Sequence, residues 1–454
     1  MQAEYDVIIV GAGAAGLAAG ARLASSGERV AIIEARDRVG GRIFTRRLAG
    51  ARAGASTPIE LGAEFIHGLP SVTWSLLKEA GLSAYELDGS ALTFANGAWP
   101  ATTGSAAHRV LADMMRWLEA RPGCDMSFAD YLAARPVDAE SAAAAGRFVE
   151  GFNAADSRRI GIASLAAQQR AEDEIHADRV FRIGEGYDAL AGHLVSRFRG
   201  AGGELVLASP ARRIGWRRGA VTVQLEPARG APRELCAKRA LITVPLGVLQ
   251  AESIEFEPRP ADVLAQAHRL AMGEAMRIVL VFRNRFWRDR RNLSLPPHVR
   301  RELCDLSFLF TPGELPPTWW TPSPLPAPVL TAWMGGPKAA AFRGSAAAGG
   351  DGGRALPGRC LSTLAKVFAL PAAELESLLS SWHWHDWSAD EYTRGAYSYV
   401  PAGALDAPER LARPLENTLF FAGEHTDTSG HWGTVHAALA SGVRAAGQIL
   451  SAPD

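Results

Sequence analysis

Three features of this 454-residue sequence predict an α/β fold, which becomes α+β overall when the middle of the chain is included. The first is an apolar, β-branched run that ends in the glycine motif GAGAAG. The second is another apolar run, about twenty residues later, that ends in an acidic residue. The third is an alanine-rich block with helical periodicity, inserted between segments that alternate strand and helix character.

The first feature predicts a strand, a tight turn and a helix that binds phosphate. Val7 to Val10 form a short apolar run that is typical of a strand buried on both faces of a parallel sheet. Gly11, Gly13 and Gly16 then form the pattern GxGxxG at the start of an alanine-rich helix. In this pattern the first glycine makes the turn, the second admits a pyrophosphate, and the third lets helix and strand pack closely.

The second feature completes a nucleotide-binding unit. Val30 to Ile33 form a second apolar strand, and Glu34 follows it directly. An acidic side chain at this place accepts hydrogen bonds from ribose hydroxyls and repels a 2′-phosphate. Because strand, glycines, helix, strand and acid occur in the required order, the N-terminal region is predicted to be a Rossmann-like dinucleotide-binding unit.

The continuation ARDRVGGR indicates which dinucleotide is bound. It places Arg36 and Arg42 around a second glycine pair, Gly40 and Gly41. This stretch resembles the start of the flavin amine oxidase family, which includes monoamine oxidases, polyamine oxidases and flavin histone demethylases. The resemblance implies that FAD is the cofactor, with Arg42 at its pyrophosphate. The alternative is that both arginines lie on a solvated surface.

Later motifs extend the resemblance across the chain. The segment ELGAEFIHG is similar to a family stretch whose backbone lies along the flavin, and it is closest to the polyamine oxidase branch. The C-terminal segment beginning LFFAGEHTDTSGHWG is similar to the last family motif. There Glu424 is implied to bond the ribityl or pyrophosphate portion. Thr434 and Val435 are implied to place a helix N-terminus at flavin N1 and O2, where its dipole stabilises negative charge.

The complete set of cofactor contacts implied by the resemblance includes Ala211 at the adenine, Val244 at a strand end and Trp387 against the flavin. The set is Gly11, Gly13, Ala14, Ala15, Gly16, Glu34, Ala35, Arg36, Gly41, Arg42, Gly62, Ala63, Glu64, Phe65, Ala211, Val244, Trp387, Gly423, Glu424, Thr434 and Val435. Monoamine oxidases carry a flavin-linked cysteine where this chain has Ala396, so FAD is expected to be non-covalent.

Four residues are candidates for the reaction itself. His67 would orient an amine or manage its proton, since an unperturbed imidazole with a pKa near 6.5 is a usable base; alternatively, backbone groups satisfy it. Tyr397 would form one wall of an aromatic cage, with Trp432 near the opposite wall. Arg277 occupies the position at which many members have a lysine that holds a water at flavin N5. It could anchor a water or a substrate carboxylate, or form a structural charge pair.

By the resemblance, the protein oxidises a primary or secondary amine. A hydride passes from the α C–H to flavin N5, water hydrolyses the imine, and O2 reoxidises the flavin to give H2O2. The alternatives are a flavin amine dehydrogenase or desaturase with a non-oxygen acceptor, an L-amino acid oxidase, and a non-catalytic FAD-fold binding protein. The intact flavin motifs argue against the last.

Two domains are expected. Residues 1–85, 182–262 and 385–454 are predicted to form a discontinuous FAD-binding domain. Residues 86–181 and 263–384 are predicted to form a substrate-binding domain with a mixed sheet and a helical cap. Two segments, the proline-rich run from Thr311 to Pro328 and the glycine- and alanine-rich run from Gly344 to Gly358, are predicted to be long loops.

Composition limits the partners. Lysine plus arginine equals aspartate plus glutamate at 48 each, so no net field favours nucleic acid or an anionic membrane. Four widely spaced cysteines argue against a metal site or a disulfide framework and for a reducing compartment. With no signal peptide or spanning run recognised, we expect a cytoplasmic protein. Its partners would be a small-molecule amine and O2, and a homodimer is left open.

Overall fold

The computed structural model describes residues 4–49, 56–100, 106–227, 229–289, 294–347 and 355–453. The strands are β1 (Tyr5–Val10), β2 (Val30–Ile33), β3 (Thr45–Ala49), β4 (Ser56–Glu60), β5 (Ile66–His67), β6 (Ala84–Glu86), β7 (Ser90–Thr93), β8 (Val180–Ile183), β9 (Glu204–Val206), β10 (Ala211–Arg217), β11 (Ala220–Leu225), β12 (Arg233–Ile242), β13 (Glu255–Glu257), β14 (Ala271–Met272), β15 (Ala275–Phe282), β16 (Leu306–Phe310), β17 (Thr318–Trp320), β18 (Val329–Gly335), β19 (Leu379–Trp384), β20 (Ser398–Tyr399) and β21 (Leu419–Phe421).

The α-helices are α1 (Ala14–Ser25), α2 (Ser71–Ala80), α3 (Ala106–Glu119), α4 (Phe128–Ala133), α5 (Ala139–Asn153), α6 (Ile162–Glu174), α7 (Asp188–Gly200), α8 (Leu246–Gln250), α9 (Ala261–Arg269), α10 (Pro297–Glu302), α11 (Pro337–Ala347), α12 (Ala355–Phe368), α13 (Ala372–Leu378), α14 (Ala407–Leu411) and α15 (Val435–Ser451). In the described part of the chain, no helix is both long enough and apolar enough to cross a membrane.

The first sheet is built around β1, as the N-terminal pattern predicts. Strands β12, β1, β2 and β9 run parallel, and β21 is parallel to the last residues of β12. The first half of β12 pairs antiparallel with β11, which forms a hairpin with β10. Alternate residues of β1 enter two different apolar clusters: Val7 and Ile9 face α1, α7 and α15, while Ile8 and Val10 face the opposite side. The sheet is therefore covered on both faces.

The second sheet has the strand order β19-β15-β18-β17-β16-β7. Its pairs are antiparallel except β16 with β7. All strands of the first sheet come from the segments predicted to bind FAD, and all strands of the second come from the segments predicted to bind substrate. The division into two domains at the stated boundaries stays a prediction.

The structure confirms the predicted helical block but corrects the two predicted loops. Helices α3 to α6 occupy the block, and their apolar faces share one cluster with Phe128 and Tyr131 at its centre. The proline-rich run, however, contains β17, so describing it as a loop throughout was wrong. Three residues between prolines are enough to pair with β16 and β18, although they are too few to give a period-two pattern.

The glycine- and alanine-rich run was also predicted as a loop, and the structure corrects its ends. Helix α11 continues to Ala347 and α12 begins at Ala355. Alanine has the highest helix propensity of all residues, which explains why the helices extend into this composition. The centre of the run lies outside the described residues.

Candidate active site

One cavity of about 1600 Å³ is bounded by elements of both sheets and by helices α3, α5 and α6. Every residue predicted for the cofactor or the reaction lines it, with the exception of Gly16. A Cβ added at Gly16 would lie 2.0 Å from the carbonyl oxygen of Gly11. This glycine therefore serves the close packing of the helix against the preceding turn, and its contact with the cofactor stays a prediction.

The amino end of α1 faces the cavity at its start. Gly13 is the N-cap of the helix, and no side chain caps the helix there. A Cβ added at Gly13 would meet nothing within 4 Å, and the second glycine pair packs against the same turn, because Gly40 donates to the carbonyl of Ala12 at 2.9 Å. The first backbone N–H groups of a helix have no partner within it, so they can bind a phosphate.

Glu34 lies beside this helix end and is 5% exposed. Its carboxylate accepts backbone hydrogen bonds from Ala12 at 2.8 Å and from Arg36 at 2.9 Å, one on each oxygen. Each oxygen keeps a lone pair that could accept from a ribose hydroxyl. Nη2 of Arg36 donates to Asp390 at 2.5 Å and to Thr393 at 2.8 Å, while its Nη1 lies 3.9 Å from Oε1 of Glu34.

Arg42 and Glu424 form an ion pair in the wall of the cavity, with 2.8 Å between Nη1 and Oε1. The same Nη1 donates to the carbonyl of Ala396 at 2.9 Å. Burial would raise the pKa of Glu424, but the charge of Arg42 and the other donors outweigh it, so the pKa lies below its usual range. The carboxylate is therefore ionised.

Glu424 was predicted to bond the cofactor directly, and its contacts suggest a different use. Besides Arg42, it accepts from the Ser398 hydroxyl at 2.5 Å, the Ser398 amide at 3.3 Å and the Gly433 amide at 2.9 Å. A carboxylate has about four lone-pair positions. Protein donors fill them, so Glu424 holds Arg42 and the turn before α15 in place. Its direct contact with the cofactor stays a prediction.

The helix predicted at the C-terminus begins where the motif places it. Thr434 is the N-cap of α15, and its hydroxyl accepts from the amide of Ala437 at 3.2 Å. Thr434 and Val435 both line the cavity. A 17-residue helix thus directs the positive end of its dipole at the cavity wall.

These features fit FAD. Two separate helix N-termini and one guanidinium supply positive potential along the cavity, which suits a pyrophosphate at one end and an electron-rich ring at the other. Arg277 and His436 also line it, and their buried atoms Arg277 Nε and His436 Nε2 have no hydrogen-bond partner within the described residues. None of the four cysteines lies among the lining residues, in agreement with non-covalent binding.

His67 lies between aromatic rings, and its environment changes the chemistry expected of it. Its ring centroid is 6.1 Å from that of Phe65 and 5.7 Å from that of Phe152. Burial lowers the pKa of His67 to about 4. The assumption of an unperturbed imidazole was therefore wrong: His67 is neutral at pH 7 and is too weak a base to take a proton from an alkylammonium.

Arg277 is 8% exposed and is already paired. Its Nη1 lies 3.1 Å from Oε2 of Glu64, and its guanidinium lies beside two neighbouring indoles, 5.2 Å from the ring of Trp320 and 5.7 Å from that of Trp333. Glu64 also forms an ion pair with Arg182, with 2.7 Å between Oε1 of Glu64 and Nε of Arg182. Of the interpretations left open for Arg277, the geometry favours a structural charge pair that keeps one donor, Nε, unused at the cavity wall.

Each of the three predicted aromatic residues, Tyr397, Trp387 and Trp432, donates a hydrogen bond to a different backbone carbonyl. The Tyr397 hydroxyl donates to the carbonyl of Phe152 at 2.6 Å, and its ring lies against Gly433. The Trp387 indole donates to the carbonyl of Leu61 at 2.8 Å, and that of Trp432 to the carbonyl of Asp427 at 2.8 Å. All three line the cavity with fixed rings, but their assignment to a cage and to the flavin stays a prediction.

Four of the aromatic lining residues that could not be singled out from the sequence come from two regions of the chain. Trp320 comes from β17, inside the run predicted as a loop, and Trp333 from β18. Phe148 and Phe152 come from α5, in the block whose substrate-facing side chains could not be identified from sequence. Their spacing of four residues on one helix was the available signal, but the same spacing also fits a core face.

Comparison with known proteins agrees with these features. A family model described as "Flavin containing amine oxidoreductase" matches residues 14–450. Polyamine oxidase 3 of Oryza sativa subsp. japonica is 28% identical over 463 residues, which cover 97% of this chain and 88% of that protein. The solved structure of wild-type putrescine oxidase bound to putrescine superposes with a TM-score of 0.79 at 22% identity, covering 99% of both chains.

Other relatives are much longer than this chain. Histone demethylase-like protein A of Aspergillus fumigatus is 34% identical over 221 residues, which are 47% of this chain and 19% of that protein. This chain spans 30% to 58% of the length of five lysine-specific histone demethylase homologs from Arabidopsis thaliana and Oryza sativa. The similarity to these proteins thus concerns only a part of them.

Proposed function

The chain belongs to the flavin-containing amine oxidoreductase family, and on this premise we propose that it is an FAD-dependent oxidase of primary or secondary amines that uses O2 as electron acceptor. The observation that carries the proposal is the convergence of both flavin motifs on one cavity that continues into an aromatic chamber. The names of polyamine oxidase 3 and putrescine oxidase support amines as the substrate class.

When bound, FAD supplies the acceptor for two electrons and one hydrogen from the carbon next to the amine nitrogen. The protein supplies position and environment. The N-terminus of α1, Glu34 and Arg42 would hold the dinucleotide, and the N-terminus of α15 would favour negative charge on the ring side. The aromatic walls exclude water and offer no competing nucleophile.

The apolar aromatic walls of the cavity also affect the protonation state of the bound substrate. Only a neutral amine can release its α hydrogen with an electron pair, and apolar surroundings disfavour the ammonium form. Since His67 is too weakly basic to remove the proton, the ammonium must lose it to solvent on binding. We therefore expect the efficiency of flavin reduction to rise about tenfold per pH unit between pH 7 and 9, with no inflection near 6.5. An inflection near 6.5 that vanishes in His67→Gln would contradict this assignment.

An amino acid substrate is not favoured by the geometry. An L-amino acid oxidase requires a guanidinium free to receive the substrate carboxylate. Nη1 of Arg277 is instead paired with Glu64, and two indoles lie beside the guanidinium. To bond Nη1 of Arg277, a substrate carboxylate would have to displace Glu64, which also accepts from Arg182 and from the Trp320 indole.

The decisive experiment is anaerobic mixing of the holoprotein with polyamines, aryl alkylamines, alkylamines and amino acids, followed by admission of air. We expect an amine class to bleach the visible band of FAD, and air to restore it with formation of H2O2. Bleaching with slow reoxidation would identify a dehydrogenase with another acceptor. If no amine bleached the band, amine oxidation would be refuted.

A further inference from the structure

A row of rings leads from His67 into the helical insert. Phe152 lies 5.7 Å from His67 between centroids, Phe148 lies 5.6 Å from Phe152 in a nearly parallel stack at 6°, and His108 lies 5.2 Å from Phe148. All four residues line the cavity. Phe148 and Phe152 are one helical turn apart on α5, so the helix presents both rings on one face.

The end of α5 is fastened to the predicted reaction site. The Tyr397 hydroxyl donates to the carbonyl of Phe152 at 2.6 Å, and the Trp333 indole donates to the carbonyl of Gly151 at 2.9 Å. These carbonyls belong to the last turn, where helix geometry provides no internal donor. The backbone of the helix turn that carries Phe152 is therefore held at a fixed place relative to Tyr397.

Phe152 also has uncovered apolar surface, and it is one of the residues that line the cavity. Phe152 is 40% exposed although its helix end is firmly bonded. Helix α3, which packs against α5, adds Leu111 and Met115 to the cavity lining. Uncovered apolar area within a concave site is the usual signature of a surface that a ligand covers.

A rival occupant is the second ammonium group of a diamine, bound by Glu172 of α6. This carboxyl lines the cavity and has no cationic partner within the described residues. It accepts a hydrogen bond from Gln168 at 2.8 Å, and burial raises its pKa. Burial thus weakens the negative charge that a second ammonium would need, whereas the stacked rings need no charge.

We propose that Phe148 and Phe152 bind the non-reacting arm of the substrate, that this arm is an alkyl or aryl group, and that the two rings select such amines over α,ω-diamines. The inference rests on the proposed amine oxidation. It names the part of the cavity that determines specificity, which neither the family model nor the relatives assign.

The test uses the holoprotein and two matched series, primary n-alkylamines from propylamine to octylamine and diamines of the same lengths. The efficiency of anaerobic flavin reduction should rise about fourfold per added methylene in the first series and stay lower in the second. Phe148→Ala and Phe152→Ala should flatten this rise, and Phe148→Leu should keep part of it. Leu405→Ala, which removes an exposed side chain elsewhere, should leave it unchanged.

A binding series makes the result independent of turnover. α,α-Dimethylalkylamines have no α hydrogen and cannot be oxidised, but their binding perturbs the visible spectrum of FAD. Their Kd should fall with chain length in the wild type and not in the alanine variants. Equal slopes in wild type and variants, or tighter diamine binding that is lost in Glu172→Gln, would overturn the inference. If no amine reduced the flavin, the proposed oxidation would fail, while the Kd series would still decide the role of the rings.

Discussion

Arg42 and Glu424 are 382 positions apart in sequence and meet in the cavity wall at 2.8 Å. The side chain of Glu424 is 4% exposed and that of Arg42 is 23% exposed, so the pair has lost most of its hydration. Such a pair contributes little net stability, but removing one partner leaves a buried charge unpaired. The pair is therefore better understood as a means of placing Arg42 than as a source of stability.

We expect Arg42→Gln to lower the free energy of unfolding of the apoprotein by about 3 kcal/mol, because Glu424 then lies buried without its cation. The double variant Arg42→Gln/Glu424→Gln should recover most of that loss. It should still bind FAD about tenfold to a hundredfold more weakly, because one charged hydrogen bond is gone. Denaturant unfolding and FAD titration measure the two effects. Wild-type FAD affinity in the double variant would show that Arg42 does not contact the cofactor.

Glu60 is a second residue whose environment sets its chemistry. Its carboxyl accepts from the Tyr187 amide at 2.8 Å and the Thr45 hydroxyl at 2.7 Å, and burial raises its pKa to about 7. Between pH 4.5 and 7 the folded protein keeps a proton that the unfolded chain has lost. Stability contributed by Glu60 is therefore present below about pH 4.5 and is lost as the pH rises to 7.

Glu60→Gln removes this titration. We expect its free energy of unfolding relative to wild type to increase with pH from 4.5 to 7, by about 3 kcal/mol in total, and to level off above 7. Denaturant melts at pH 5, 6, 7 and 8 measure the difference. Glu140→Gln, at an exposed position in the first turn of α5, serves as control and should show no such trend. A pH-independent difference for Glu60→Gln would mean that the carboxyl titrates normally in the fold.

At the scale of elements, the contact between α1 and α15 joins the two ends of the chain. A Cβ at Gly442 of α15 would lie 2.2 Å from the carbonyl oxygen of Ala15. The first glycine motif and the last helix thus approach with no room for a side chain. Both helices direct their amino ends at the cavity, so their packing positions two anion-binding ends at once.

Gly442→Ala should force the helices apart, lower the free energy of unfolding by about 1–3 kcal/mol and weaken FAD binding. Gly447→Ala is the matched control on the same helix, because a Cβ there would meet only Arg22 Nη2, at 3.8 Å. The control should be stabilised by about 0.5–1 kcal/mol, since alanine favours a helix over glycine. Thermal melts of both holoproteins test this, and equal behaviour of the two variants would contradict the close contact.

At the scale of the molecule, the cavity is enclosed by both sheets and by the helical insert. A bound dinucleotide would therefore contact segments that are distant in sequence, including the start and the end of the chain. A ligand that binds only the folded state stabilises it by RT ln(1 + [L]/Kd), about 4 kcal/mol at a free concentration one thousand times Kd.

Removal of FAD should lower the Tm, and adding it back should raise the Tm in proportion to the logarithm of its concentration. The two sheets and the helical insert line the same cavity. Loss of FAD should therefore also loosen helices α3 and α5 of the insert, and hydrogen exchange can detect this loosening. The control is AMP, which offers adenine and ribose without the flavin. A Tm independent of FAD would mean that the cavity is not its binding site.

The sequence by itself determined the cofactor unit, because its signals are local. The runs at β1 and β2, the three glycines and Glu34 lie within thirty residues, and each has a conformational requirement that few other residues meet. The family resemblance, carried by the last motif, placed a helix N-terminus at Thr434 and Val435, and α15 begins there.

Tertiary structure alone decided what surrounds the reacting centre. The sequence named Arg277 and Glu64 but not their pairing, and it could not show that Trp320, Phe148 and Phe152 share the cavity. It also gave His67 an ordinary pKa, whereas enclosure by rings lowers that pKa to about 4. Ion pairs, the burial of a side chain and the set of residues that line a cavity all depend on contacts between residues far apart in the chain. Local periodicity in the sequence does not encode these contacts.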